Sequence, residues 1–300
     1  MTGHKINLFE FPTNLGLIKT DYAIEPGVKK LPDWLKQFGF HDQVNPDKVV
    51  RLEPPAYTML VDKASQVRNA DSIVAYAKEQ AALLYNEIND DSFQLILGGD
   101  CSILIGSAVA LRQKGKYGIF YLDGHTDFIW PEMSGTHGAA GMDLAIVAGH
   151  GHEKLTNINN LKPYIQEEHI YCVGNREYDA NYEKPVIDSN VAYYPLNRLR
   201  GNGLQNTVQQ FLQTVKQQNL DGFFIHFDVD ALDDQVMPAV DSRTPDGLSY
   251  DELAEILAPL LSSRKAVGME ITILDPDLDE DGRYTKEFSD KIVKLINGAK

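Results

Sequence analysis

From residue 93 onward the sequence alternates short apolar runs with stretches of helical periodicity, and that alternation leaves few folds open. Phe93–Leu97, Tyr117–Leu122, His169–Val173, Gly222–Phe227 and Ala266–Ile271 read as buried strands, each a near-continuous apolar run. Interleaved with them, Ile103–Arg112, Asp143–Val147, Leu204–Gln217 and Tyr250–Leu261 read as helices, and Lys286–Ile296 as a closing one. Strand–helix–strand order packs as a parallel sheet with helices on both faces, so an α/β protein is predicted. Upstream, the spacing of Val67, Ile73, Val74, Ala77, Ala81, Leu84 and Ile88 predicts a helix from Ser65 to about Ile88. Residues 1–60 are broken by Pro12, Pro26-Gly27, Pro32, Pro46 and Pro54-Pro55, with room for a strand near Lys5–Phe9 and a helix near Asp33–Phe38. No repeat, low-complexity tract or composition break divides the chain, which predicts one domain spanning residues 1–300.

In open parallel sheets, ligands collect beyond the carboxyl ends of the strands. The polar clusters of this chain fall there. Asp123-Gly124-His125-Thr126-Asp127 follows one apolar run, and Asp228-Val229-Asp230 follows another. Residues two apart in an extended chain share a face, so Asp123, His125 and Asp127 converge. A carboxylate–imidazole–carboxylate face suits Mn²⁺, Fe²⁺, Co²⁺ or Zn²⁺. The formal charge of −15 argues against a nucleic-acid partner and fits a site that draws in cations. Two cysteines, Cys101 and Cys172, imply no disulfide framework, and a reducing cytoplasm is the expected location. No apolar run approaches the ~20 residues that cross a bilayer, and Met1-Thr2-Gly3-His4-Lys5 lacks the apolar core of a secretory signal.

Taken with Gly98-Gly99-Asp100-Cys101-Ser102 and Glu270, these segments resemble the ureohydrolase family of arginases, agmatinases and formiminoglutamases, whose patterns read GGDHS, DAHxD and SxDxDxxDP. The resemblance runs from Gly98 to Glu270. It implies a three-layer α/β/α arginase-like fold around a mostly parallel sheet, and two divalent ions per chain, Mn²⁺ first with Zn²⁺, Fe²⁺, Co²⁺ or Ni²⁺ as other candidates. By the same resemblance Asp123 and Asp228 bridge both ions, His125 and Asp230 complete one shell, and Asp127 with Cys101 completes the other. A hydroxide between the ions would attack the planar carbon of a guanidino or formimino substrate. Asp127 would orient it, Glu270 would accept hydrogen bonds from the guanidinium nitrogens, and His137 would protonate the leaving amine. Ser134, in the same Ser134-Gly135-Thr136-His137-Gly138 loop, and Glu177 or Asp179 are the expected substrate contacts. Self-association as a trimer or hexamer is implied as well.

Three departures matter. Cys101 replaces the motif histidine; as a thiolate it is a softer ligand that would shift preference toward Zn²⁺ or Fe²⁺, weaken Mn²⁺ there or leave one site empty, and the other reading is a buried thiol that binds nothing. Ile129 stands where arginases carry an asparagine that reads the substrate's α-carboxylate, which counts against arginine itself as substrate. Ser242-Arg243-Thr244-Pro245 replaces a small-residue turn, so Arg243 either clamps a substrate carboxylate or pairs with Asp241 or Asp246. Loss of the motif histidine also motivates an alternative, a non-catalytic member that acts as a scaffold or partner subunit. A one-zinc deacetylase-like hydrolase is a third reading, disfavoured by Asp228, Asp230 and Glu270.

Overall fold

Eight strands form one sheet in which every pairing is parallel. They are β1 (Lys5–Glu10), β2 (Lys48–Arg51), β3 (Ser92–Leu97), β4 (Tyr117–Leu122), β5 (Ile170–Val173), β6 (Ala192–Tyr194), β7 (Gly222–Asp228) and β8 (Ala266–Thr272). Their spatial order is β2-β1-β3-β8-β7-β4-β5-β6. The computed structural model describes residues 5–21, 23–89 and 91–299, so most of the N-terminal stretch read for a secretory signal lies outside them. The five predicted central strands are all present. The two edge strands, β2 and β6, are additional; four and three residues long, they lack the apolar run that marks a buried strand.

The helices in chain order are α1 (Leu31–Gln37), α2 (Phe40–Val44), α3 (Ala70–Glu87), α4 (Ile103–Lys114), α5 (Asp143–Val147) and α6 (Glu153–Thr156), then α7 (Ala180–Ile187), α8 (Leu196–Asn202), α9 (Leu204–Gln217), α10 (Tyr250–Leu261) and α11 (Arg283–Gly298). Strand parity divides the core in two. Phe93, Leu95, Phe120, Ile225, Phe227 and Met269 pack under α1, α2 and α8–α11, whereas Ile96, Ile119, Phe224 and Val267 pack under α3–α7. The result is the expected α/β/α sandwich. Helix α3 begins five residues later than its apolar spacing predicts, because Gln66 and Asn69 hold positive φ and Val61 bridges Arg68 in a small antiparallel turn.

Two local features set the site. First, the β7–β8 register shifts by one residue between Phe223 and Phe224: Phe223 faces Ala266, but Phe224 faces Gly268. From there His226 sits opposite Glu270 on one side and Tyr121 on the other. Second, the loop from Gly98 to Ser102 is squeezed between two neighbouring segments. Asp100 N–H donates to the Thr13 carbonyl (3.1 Å) and Ile273 N–H donates to the Gly99 carbonyl (2.8 Å), and a Cβ on Gly99 would collide with that same Thr13 carbonyl. Glycine is required here for close backbone approach. Gly99→Ala is expected to lower unfolding free energy by at least about 2 kcal/mol in urea titrations, since only backbone movement relieves the clash.

Candidate metal centre

Cys101, Asp123 and Asp228 come from the ends of β3, β4 and β7, and all three are buried. Each is placed by its own backbone. Asp123 accepts from the His125 N–H (2.6 Å), and Asp228 accepts from the Asp230 N–H (2.7 Å), so a tight turn after each strand aims a second side chain at the same point. His125 Nδ1 lies 3.0 Å from Asp230 Oδ2 and 3.5 Å from Asp123 Oδ1. Asp230 also accepts from the Gly124 N–H (3.0 Å), tying the β4 turn to the β7 turn. Ligand atoms of Asp123, His125 and Asp230 lie within 4.8 Å of one another. Cys101 Sγ is 2.8 Å from Asp228 Oδ2 and 3.2 Å from Thr272 Oγ1.

The geometry is strongly anionic and dry. Burial and the Asp230 charge push the Asp228 carboxyl well above the usual carboxylate range, and burial with the Asp228 charge raises the Cys101 thiol. Burial opposes ionisation of Asp123 as well, yet the His125 and His226 imidazoles beside it hold its carboxyl low. Against its own burial, His125 is held protonated by Asp230 and Asp123. Among the described residues, eight buried side-chain polar atoms lack a partner, and four of them ring this site: Asp123 Oδ2, Asp143 Oδ2, Arg176 Nη1 and His226 Nε2. Two of these are carboxylate oxygens, buried acceptors that a divalent ion would satisfy, so these residues fit one.

Asp127, φ +43°, lines the cleft above the cluster and accepts from the Tyr121 hydroxyl (2.7 Å), which also lies 2.9 Å from Asp143 Oδ1. Burial and the Asp123 charge raise the Asp127 carboxyl. The cleft, of about 420 Å³, is lined by Cys101, His125, Asp127, Ile129, Ser134, Glu177, Asp228, Asp230, Asp241 and Ile273, among others. Ile273 is a β-branched residue at φ +74°, a strained backbone on the cleft wall.

Several expected site residues stand elsewhere. Glu270 does not face the cleft: it is wholly buried two residues before the end of β8, where Ser107 Oγ (2.8 Å) and His226 Nδ1 (2.7 Å) occupy its two oxygens. A substrate guanidinium cannot reach it, which corrects the role assigned to it from sequence. Arg243 pairs with Asp234, not Asp241 or Asp246, and is exposed. Asp179 is the N-cap of α7, spent on the Asn181 and Tyr182 N–H groups. His137, half-buried at φ +57°, sets Nδ1 against the Gln66 carbonyl at 2.8 Å, while Ser134, Gly135 and Thr136 of its loop line the cleft.

Four residues escaped the sequence reading. His226 is fully buried and stacked flat on Tyr121 (centroids 4.4 Å apart, planes at 5°), with Nε2 3.8 Å from Asp123 Oδ2. Tyr121 and Asp143 support Asp127. Arg176 clamps the turns by donating to the carbonyls of Asp230 (2.7 Å), Leu232 (3.2 Å) and Thr244 (2.8 Å). The available signal was polarity inside apolar runs: a histidine two places before Asp228 and a glutamate within Ala266–Ile271.

Fold and site together define a class, the α/β/α metal-dependent hydrolases. A family model described as the arginase family matches residues 19–296, and the chain belongs to that family, whose members cleave C–N bonds of guanidino compounds. The arginase of Staphylococcus aureus (strain MRSA252) is 29% identical over 233 residues, covering 77% of this chain and 76% of that protein. Among solved structures, the Entamoeba histolytica arginase in complex with L-ornithine superposes with a TM-score of 0.86 at 20% identity, over 98% of this chain and 99% of that one. The formimidoylglutamase of Bacillus subtilis does so with a TM-score of 0.74 at 23% identity, over 98% and 87%. At these identities the superpositions speak to the fold alone. No helix of the described residues is long and apolar enough to cross a membrane.

Because His125 and Cys101 carry protons that a cation must displace, metal uptake is expected to strengthen as pH rises. Adding a divalent cation at about 100 times its dissociation constant to chelator-treated protein should stabilise it by about 2.7 kcal/mol. Differential scanning calorimetry should show a larger rise in the midpoint near pH 8 than near pH 6.

Proposed function

We propose that the chain hydrolyses the C–N bond of a cationic guanidino compound that carries no carboxylate, an agmatine-like amine in preference to arginine or an N-formimino acid. The one-sided charge of the cleft carries this reading. Asp127, Glu177, Asp228, Asp230 and Asp241 line it, and among its described lining residues there is no lysine or arginine. A guanidinium is drawn in by such a field, and a substrate carboxylate finds no lysine or arginine there, Arg243 being engaged with Asp234. Apolar Leu17, Ile129, Met133 and Ile273 on the same walls fit a methylene chain and exclude water.

The Asp123, Asp228, His125 and Asp230 side chains would hold divalent ions, which would supply Lewis acidity toward a water molecule. Asp127, held by the Tyr121 hydroxyl, orients that water and takes its proton. His137 stands just outside the lined cleft with Nδ1 on the Gln66 carbonyl, so as proton donor to the leaving amine it would act through Nε2. Ser134, whose hydroxyl accepts from the His137 N–H (3.0 Å), positions that loop, and Glu177 on the opposite wall receives the far ammonium. The same reading includes self-association as a trimer or hexamer, for which light scattering is the direct measurement.

A urea assay on divalent-loaded protein, run across guanidino and formimino compounds, tests this. Urea release from agmatine-like amines is expected to exceed that from arginine, and Asp127→Asn to lower kcat at least about 100-fold with the metal-dependent stabilisation retained. Arginine turned over as well as the amines overturns the substrate choice. No turnover of any compound with Mn²⁺, Zn²⁺, Fe²⁺, Co²⁺ or Ni²⁺ leaves the scaffold reading standing.

A further inference from the structure

We propose that His226 is a metal ligand, and that with Cys101, Asp123 and Asp228 it builds a thiolate–imidazole–dicarboxylate site that selects a softer divalent cation, Zn²⁺ above all, over Mn²⁺. One ligand atom from each of these four buried residues lies within 4.8 Å of the others. The 3.8 Å between His226 Nε2 and Asp123 Oδ2 is too long for a hydrogen bond. For nitrogen and oxygen ligands with bonds of about 2.0–2.2 Å, the edge of a tetrahedron is roughly 3.3–3.6 Å, a few tenths of an ångström shorter than this separation. Both atoms are buried without a hydrogen-bond partner, and a cation held between them would satisfy both.

The surroundings of His226 are those of a positioned ligand. Its Nδ1–H donates to Glu270 Oε1 at 2.7 Å, and Ser107 donates to Glu270 Oε2 at 2.8 Å, a chain that fixes the ring and directs Nε2 at the cluster. Tyr121 stacked on the other side prevents the ring from turning away. A glutamate that cannot reach substrate thereby acquires a role: it is a positioning residue for the metal, acting through His226. The family pattern places an imidazole at position 101. Here the loop offers sulfur, and the imidazole comes from inside β7 instead. Thiolate with imidazole shifts preference away from the harder Mn²⁺. On binding, the Cys101 S–H bond would break and its proton leave to solvent, while His226, its Nδ1–H on Glu270, would offer the Nε2 lone pair after releasing any proton held there. This rests on the strand ends being a metal centre and needs no assumption about substrate.

Cobalt(II) is the probe. Chelator-treated full chain loaded with Co²⁺ is expected to show a near-ultraviolet thiolate-to-cobalt charge-transfer band, and Cys101→Ser to abolish it. Zn²⁺ competition should give a Glu270→Gln variant about 10–100-fold weaker in its first equivalent, and His226→Gln weaker still. Cys101→Ser should narrow the Zn²⁺/Mn²⁺ affinity ratio at least about tenfold. Metal-free melting of each variant separates folding from ligation. A purely structural His226 would lower that midpoint while leaving zinc affinity and the cobalt spectrum at parent values, and this result overturns the proposal. Cobalt bound without a thiolate band overturns this ligand set alone, whereas failure to bind any divalent ion overturns the metal centre itself.

Discussion

Like charges are concentrated where water is absent, and most of the site follows from managing that. Asp123, Asp127, Asp143, Asp228 and Asp230 lie buried within one small region of the sheet's carboxyl edge. In a low-dielectric interior such a group is tolerable only if protons or cations are shared among its members. Protons can do this: Asp230 and Asp123 favour one on His125, burial keeps one on the Cys101 thiol, and the Tyr121 hydroxyl lies within hydrogen-bond reach of both Asp127 and Asp143. A divalent ion performs the same neutralisation with fewer particles and fixed geometry. Metal affinity and fold integrity are therefore two aspects of one electrostatic arrangement.

The sheet supplies the rigidity that this arrangement needs. Tyr121, His226 and Glu270 occupy one rung across β4, β7 and β8, directly beneath the strand ends. Hydrogen bonds link Ser107 on α4 through Glu270 to His226, whose Nε2 lies 3.8 Å from Asp123 Oδ2. Above it, Arg176 ties together the turns by donating to backbone carbonyls, so it orders their backbones without competing for the carboxylates. The acids sit on elements with little freedom to separate, although mutual repulsion favours separation.

The legible part of this chain was whatever a strand end makes periodic. Asp123, His125, Asp228 and Asp230 could be placed because alternate positions after an apolar run share a face, and the structure brings them to one edge. Glu270 was visible as a charge in an apolar strand, but its direction was not, since two residues of depth separate a side chain that projects beyond the sheet from one that lies on its face. His226 has the same depth relative to Asp228 and was missed for the same reason. Edge strands β2 and β6 were too short to carry a pattern. Arg243 and Asp179 lie in loops, where only the folded chain decides which partner is nearer; Asp234 and the α7 N-terminus won.

The register shift between Phe223 and Phe224 has a consequence reaching well beyond its own position. Without it, His226 would stand beside Met269, and an acid–base pair would become an imidazole against a thioether. One surplus residue at the floor of the sheet thus sets which side chains meet several rungs higher. Inserting or removing a single amino acid at that kink would be a way to retune metal preference by sliding one strand past another, with every ligand in the list unchanged.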